Sequence, residues 1–350
     1  MVKLFDIGDI VGVAGPVFTT RTGESSVRVE EVVLLAKSIR PLPEKWHGLR
    51  DVETRYRQRY VDLIANDGVR EKFLLRSRAV AAMRDFLNGL GFMEVETPML
   101  HPLPGGAAGT PFSTHMDALD LDLYLRIAPE LYLKRLLVGG FERVYEINRS
   151  FRNEGLSPRH NPEFTMLEAY CAYADYVEVM AITEELIAHV ATECLGTTVV
   201  EFGGRRIDLT PPFARVRFAD AIKEAHGVDV AGGSVEELEE GLIKAGVNLE
   251  KGSLSRSRLM NLMADSISAE QPTFIIDYPA ALCPLSRRKA DDPRFAERFE
   301  LFIGGLEVGN AYSEQNDPLE QAERFSAVSY THLRAHETVL DLVCRLLLEK

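Results

Sequence analysis

Hydrophobic spacing along this chain switches between a period of two and a period near 3.6, and the switches divide it into elements. Residues 1–40 alternate in short runs, DIVGVAGPVF and then SVRVEEVVLLAKS, around a Thr-Arg-Thr-Gly-Glu turn. Gly23 in that turn suits a hairpin between alternating strands. Such strands cannot close a core alone, so they read as the tail of a small β-barrel whose beginning is missing. Two prolines in PLPEKW (41–46) deny helix and ladder donors and mark a linker, with 41–70 as the joining segment.

From Glu71 to Leu90 the apolar positions Phe73, Leu74, Val80, Met83, Phe86, Leu87 and Leu90 follow a helical spacing, and Gly91 ends it. FMEVE then reads as a strand closed by Pro98. LDLDLYLR (119–126) alternates as a half-buried strand, ELYLKRLLV is a short helix, and FERVYEI is the next strand. EFTMLEAYCAY (163–173) alternates well enough for a central antiparallel strand, and a long helix runs from Tyr176 to about Cys194. Residues 217–270 carry helical periodicity with more exposed charge and read as an insertion beside the sheet. PTFIIDYP and RFELFIGGLEVGNAYSE return to strands. Strands without regular βαβ spacing predict an α+β fold, an antiparallel sheet flanked by helices.

At 350 residues, with 46% hydrophobic positions, the chain can bury one large domain plus a small accessory piece. No apolar run reaches a membrane span and no signal-peptide pattern follows Met1, so the expected location is the cytoplasm. Cys171, Cys194, Cys283 and Cys344 lie far apart without a CxxC, which favours reduced, buried thiols over metal ligands or disulfides. A net charge of -13 argues against whole-surface nucleic-acid binding. A local basic patch at Arg55, Arg57 and Arg59 stays open as an RNA contact, although a solvated helix face is the plainer reading.

One stretch cannot be explained by packing. Between FERVYEINRS and EFTMLEAY lies a loop carrying Arg152, Glu154, Arg159 and His160. Cations and a carboxylate gathered between apolar strands point to a polyanion held against a rigid sheet. The order Phe-Arg-Asn-Glu, then Arg-His-Asn-Pro-Glu-Phe-Thr, resembles motif 2 of the class II aminoacyl-tRNA synthetases, and in detail their lysine-specific branch. The 71–98 helix, strand and proline resemble motif 1, which packs a homodimer in that family. The resemblance implies a class II synthetase sheet for 71–327 and makes residues 1–40 a remnant of an OB-fold, anticodon-binding barrel. No Walker-type or Rossmann glycine pattern supports an unrelated nucleotide fold.

The implied reaction is ATP-dependent activation of L-lysine and transfer to tRNA(Lys), with Mg2+ as the metal. Arg152 is the bridging candidate, because a planar guanidinium grips a carboxylate and a phosphate together. Glu154 and His160 match positions that line ATP. Glu300 and Glu307 flank Gly304-Gly305, and they match the family's metal-binding glutamates; a turn at the glycines would bring two hard oxygen ligands together. Glu130 matches the position that receives the α-amine, with the backbone at Gly106 closing over it. Glu314 and Tyr170 match the pair that receives the ε-ammonium, with Asn310 and Tyr312 along the wall and Glu168 in support. An aspartate-activating relative would need a cation where Glu314 stands. A tRNA-independent lysyl transferase that modifies a protein, and a non-catalytic lysine- or ATP-binding fragment, remain as alternatives.

The resemblance covers about residues 3–327 and stops abruptly. Val328–Glu337 and Leu342–Lys350 can both be reverse-translated, in one frame, into sequences resembling a transposase sequencing adapter and its flow-cell end. Residues 328–350 are therefore expected to be a non-native artefact tail that packs poorly. The family's motif 3, with its ATP-gripping arginine, is expected beyond Ala327, and this chain is expected to keep lysine affinity better than catalysis.

Overall fold

The computed structural model describes residues 5–331 except 41, 44–47, 108, 156, 158, 159, 250, 251 and 253, with side chains as far as Ser326. Arg159 of the loop, the EKW part of the linker and the tail from residue 332 onward lie outside the described residues. The chain forms two compact units, Met1–Arg78 and Ala79–Lys350.

In the first unit β1 (Ile10–Ala14) pairs antiparallel with β4 (Glu31–Ala36), and β2 (Val17–Thr19) pairs with β3 (Ser25–Val27). Gly15 is required where the ribbons meet: a Cβ there would stand 1.9 Å from the Arg28 carbonyl oxygen. No residue of these four strands is fully buried, as suits a piece of an OB-type barrel rather than a closed core. Two short helices follow, α1 (Val52–Arg57) and α2 (Arg59–Ala65). The fully buried Asp62 accepts from Arg55 Nε at 2.7 Å and Asn66 Nδ2 at 2.6 Å, and also pairs with Arg59. Two of the three arginines of the basic patch are thus committed to a buried carboxylate inside the unit. The third, Arg57, pairs with Glu53 on the exposed face at 3.1 Å.

Helix α3 (Val69–Gly89) begins in the first unit and ends in the second. Its last turns bury Leu87 against Phe92 and Tyr145. Beyond it, β5 (Met93–Glu94) is shorter than the FMEVE run and lies parallel to the strand Arg143–Phe151. Strands β6 (Leu100–His101), β7 (Ser113–Met116) and β8 (Leu121–Leu125) make a small antiparallel sheet with β8 in the middle. Helix α4 (Glu130–Val138) precedes the hairpin of β9 (Arg143–Phe151) and β10 (Glu163–Cys171), paired without a bulge from Phe151↔Glu163 to Arg143↔Cys171. Among the described residues the order β10-β9-β5 puts β10 at an edge, whereas alternation suggested a central strand. Alternation reports which faces are covered, here partly by α4, and is silent on whether a strand's edge is paired.

Helix α5 (Tyr176–Leu195) starts where the Asp175 carboxylate accepts from the amides of Val177 and Glu178, and it stops at left-handed Gly196. The hairpin β11 (Val199–Phe202) and β12 (Arg205–Asp208) then leads to β13 (Ala214–Arg217). Helices α6 (Phe218–His226), α7 (Val235–Lys244) and α8 (Arg256–Ala264) stand between β13 and its parallel neighbour β14 (Thr273–Pro279). Strands β15 (Phe295–Ile303) and β16 (Leu306–Tyr312) complete the sheet β13-β14-β15-β16, and α9 (Pro318–Thr331) follows. Successive residues of β14 bury opposite faces. Phe274 packs with Met180, Phe299 and Leu301 under α5, while Ile275 joins the three-helix cluster of Phe218, Ile222, Leu238, Leu259 and Met263. Burying each such side chain contributes about 1.5–3 kcal/mol, so both faces of the sheet hold it in place.

A buried ion pair ties the small sheet to the β9–β10 hairpin. Arg126 Nη1 lies 2.7 Å from Glu146 Oε1, with both side chains 1% exposed. Arg126 also donates from Nε to the Arg149 carbonyl at 2.7 Å, and Thr97 Oγ1 donates to Glu146 Oε2 at 2.6 Å. Replacing Arg126 with Met removes the cation and leaves a buried carboxylate without a counter-charge, a loss of about 3–5 kcal/mol. The expected outcome is a correspondingly lower urea midpoint, and an unchanged midpoint would show that the pair adds nothing.

Candidate active site

Three separate elements of the second unit bring carboxylates together. Glu130 opens α4, Glu168 lies on β10, and Glu314 follows the end of β16. Glu130 and Glu314 are linked by a side chain that the sequence analysis does not single out, Lys134, one turn along α4 from Glu130. Its Nζ lies 2.7 Å from Glu130 Oε1 and 2.9 Å from Glu314 Oε2, and 5.8 Å from the centre of the Tyr312 ring. Tyr312 donates from its hydroxyl to Glu130 Oε1 at 3.3 Å, and Tyr170 donates to Glu168 Oε2 at 3.2 Å. An i, i+4 Glu–Lys spacing in ELYLKR is the signal that could have found Lys134.

The electrostatics follow from this crowding. Burial pushes the Glu314 carboxyl up to about 7, and the charge of Glu130 adds to it while Lys134 pulls the other way. Burial and Glu130 likewise push Glu168 up to about 7, against the hydrogen bond from Tyr170. The hydroxyls of Tyr170 and Tyr312 are held well above the usual phenol range, first by burial and then by Glu130. Lys134 is raised despite its burial, because Glu130 and Glu314 favour its charged form. The result is a group of carboxylates whose charged forms a further cation would favour.

Gly106 has φ +90, and a Cβ on it would stand 3.5 Å from both the Ala128 carbonyl oxygen and Glu130 Cβ, so its loop lies against the start of α4. The sequence assigns Glu130 and Glu314 to different ends of a lysine-shaped pocket. In the structure both touch one ammonium.

The β9–β10 loop holds the second group. Arg152 donates its backbone N–H to Pro162 O at 2.9 Å, and its guanidinium lies 5.3 Å from the centre of the Phe164 ring. Arg152 Nε is buried and has no hydrogen-bond partner among the described residues, which leaves a donor for a ligand. Gly109 comes close: a Cβ there would stand 3.3 Å from Glu154 Oε1 and 3.4 Å from Arg152 Cγ. Glu154 is exposed, and so is His160, whose Nδ1 lies 2.7 Å from Ser157 Oγ.

The third group sits on the β15–β16 hairpin, which turns at Gly304 and Gly305, both in the left-handed region at φ +62 and +80. Glu300 is opposite Asn310, and Phe302 is opposite Glu307, so both glutamates share one face. Asn310 Nδ2 donates to Glu307 Oε1 at 3.0 Å. Glu300 already accepts from Tyr278 Oη at 2.6 Å and Arg298 Nη2 at 2.5 Å. Burial raises its pKa and the charge of Glu307 adds to this, against Arg298 and Tyr278. Among the described residues no group of three or more His, Cys, Asp or Glu side chains is placed to hold a metal, so Glu300 and Glu307 offer two carboxylates and a metal there would need further ligands. Mg2+ fits that description, since it keeps waters and takes phosphate oxygens.

Residues 51–346 match the family described as tRNA synthetases class II (D, K and N). The lysine–tRNA ligase of Pelotomaculum thermopropionicum is 58% identical over 91% of this chain and 64% of its own length. The lysine–tRNA ligase of Moorella thermoacetica is 56% identical over 92% of this chain and 66% of its own. That of Magnetococcus marinus is 56% identical over 92% and 65%. The chain therefore spans just under two thirds of the length of these relatives. By the extent of that family match, the chain belongs to the class II tRNA synthetases of the D, K and N group.

Proposed function

We propose that this chain is the central part of a lysine–tRNA ligase, which activates L-lysine with ATP and transfers it to tRNA(Lys). The observation that carries the reading is the grouping of Glu130, Glu168 and Glu314, of which the chain's own ammonium, Lys134, meets only Glu130 and Glu314, since a diamine substrate needs more anions than the chain's own cation neutralises. An acidic amino acid would meet repulsion at the same place. The names of the relatives support the same substrate.

In this reading Glu130 and the Gly106 loop receive the α-amine, while Glu314 and Tyr170 receive the ε-ammonium. Tyr312, Asn310 and Glu168 complete the wall. The substrate carboxylate then attacks the α-phosphate of ATP, and the bond to pyrophosphate breaks. Arg152 bridges the attacking carboxylate and the phosphate, using a donor that has no partner among the described residues. Positioning and charge stabilisation supply most of the rate. Glu154 and His160 line the nucleotide. Glu300 and Glu307 would hold Mg2+, which when bound neutralises phosphate charge. A homodimer packed through α3 and β5, cytoplasmic as its translation role requires, completes the proposal. The four strands ahead of the linker favour a tRNA ligase over a protein-lysylating enzyme, whose family lacks the barrel.

Two substitutions separate the roles when made in the chain extended to the length of its relatives. Glu314→Gln should raise the lysine concentration needed for ATP–pyrophosphate exchange by roughly 10–100-fold, the worth of a hydrogen bond to a charged group, and leave the ATP dependence alone. Arg152→Ala should instead lower the maximal exchange rate by about 10²–10³-fold, as for the loss of one transition-state donor. An unchanged lysine dependence in the first variant defeats the lysine assignment.

The pH dependence has a definite sign. Folded Glu168 and Glu314 keep their protons up to about 7, whereas 4.5 is the ordinary glutamate value. Between those values the folded state holds protons the unfolded state has released, so these groups lower stability as pH rises through that window. Lysine binds the ionised forms, so its affinity should increase from pH 6 to pH 8, by about tenfold for each carboxylate that must ionise. Thermal-shift titrations with lysine at the two pH values test this; equal affinities would contradict it.

A further inference from the structure

Lys134 has no part in the reaction as derived so far, yet it occupies the centre of the pocket. Its ammonium contacts Glu130 and Glu314 at 2.7 and 2.9 Å, and the two carboxylates come from separate elements, α4 and the segment after β16. Nothing else among the described residues joins these two carboxylates directly. Tyr312 reaches Glu130 alone, and Tyr170 reaches Glu168. We propose that Lys134 is a positioning residue for amino-acid recognition: its ammonium holds Glu130 and Glu314 as a pre-built anionic cradle before the substrate arrives. This rests on the lysine reading and extends it to a residue that touches the recognition groups rather than the reacting atoms.

The charge count supports a lasting role over a temporary plug. With all three carboxylates ionised, Lys134 leaves two negative charges unanswered. On this reading a bound lysine answers them with its two ammonium groups while its own carboxylate faces Arg152, so the charges of the cluster balance with Lys134 still in place. Without Lys134 the empty pocket would hold three carboxylates with no cation among them, and like-charge repulsion favours protonating one. The groups facing the cluster are Glu130 and Lys134 on α4, Glu168 and Tyr170 on β10, and Tyr312 and Glu314 at the end of β16. Arg126 before α4, Glu146 on β9 and Arg298 on β15 act on them from further away. Glu314 already stands at about 7 with the cation present, so any further rise falls in the range where lysine binding is measured.

The test is calorimetric titration of this chain with lysine at pH 7 and pH 9, comparing the wild type, Lys134→Met and Lys134→Arg. For each unit by which losing the ammonium raises the carboxylate pKa, Lys134→Met should lose up to about tenfold in lysine affinity at pH 7. It should recover most of that at pH 9, and Lys134→Arg should bind as the wild type does. A merely structural role would weaken binding equally at both pH values, and that result overturns the proposal. So does tighter lysine binding by Lys134→Met, the outcome for a plug that the substrate must displace. An unchanged affinity and pH profile overturns it as well. If the wild type itself binds no lysine, the lysine reading fails and takes this proposal with it, whereas wild-type binding alongside any of the other contrary outcomes defeats this proposal alone.

Discussion

Like charges removed from water repel, and the pocket at the start of α4 depends on how that repulsion is answered. Glu130, Glu168 and Glu314 are brought together by folding, and Lys134 answers two of them directly. Burial first, and the charge of Glu130 after it, hold Glu168 and Glu314 up at about 7, so their charged forms are disfavoured even with Lys134 in place. A protein gains no stability from such an arrangement, since near neutral pH each ionised carboxylate is held where its charged form is disfavoured. On the proposed reading its use is in binding, where a ligand supplies the missing cations.

The surrounding framework makes the crowding possible. The buried pair Arg126–Glu146 ties together the segments on either side of α4, with Thr97, Asn148 and the Arg149 carbonyl as further hydrogen-bond partners. The β13–β16 sheet is fixed on one face by α5 and on the other by α6–α8. Another buried carboxylate, Asp277, sits at φ +60 where β14 and β15 shift register, accepting from Tyr176 Oη at 3.0 Å and Lys289 Nζ at 2.9 Å. The next residue, Tyr278, donates to Glu300, so this irregular turn in the strand places a hydroxyl beside the proposed metal ligand. Strain held by buried hydrogen bonds near a binding site is a common way to aim a side chain.

Much of this is legible in the sequence because its signals are local. The α4 span from Glu130 to Val138 and the strand pairs around Gly304-Gly305 follow from periodicity and turn chemistry. The positions of Arg152, Glu300 and Glu314 come from motif resemblance. What escapes is pairing between distant segments. Alternation along β10 cannot say that, among the described residues, its outer edge has no neighbouring strand. Arg55 and Arg59 look like a surface patch because nothing local reveals that Asp62 is buried beneath them. Lys134 looks like a solvated helix lysine until folding sets Glu314, far along the chain, beside it. Contacts of that kind depend on tertiary geometry, which one-dimensional spacing does not encode.

On the proposed reading, the pocket is charged for a diamine amino acid and against an acidic one. Titrating this chain with lysine, asparagine and aspartate under identical conditions at pH 8 tests this most directly. Saturable lysine binding, weak asparagine binding and no measurable aspartate binding are the expected results. Aspartate or asparagine binding as tightly as lysine would contradict them.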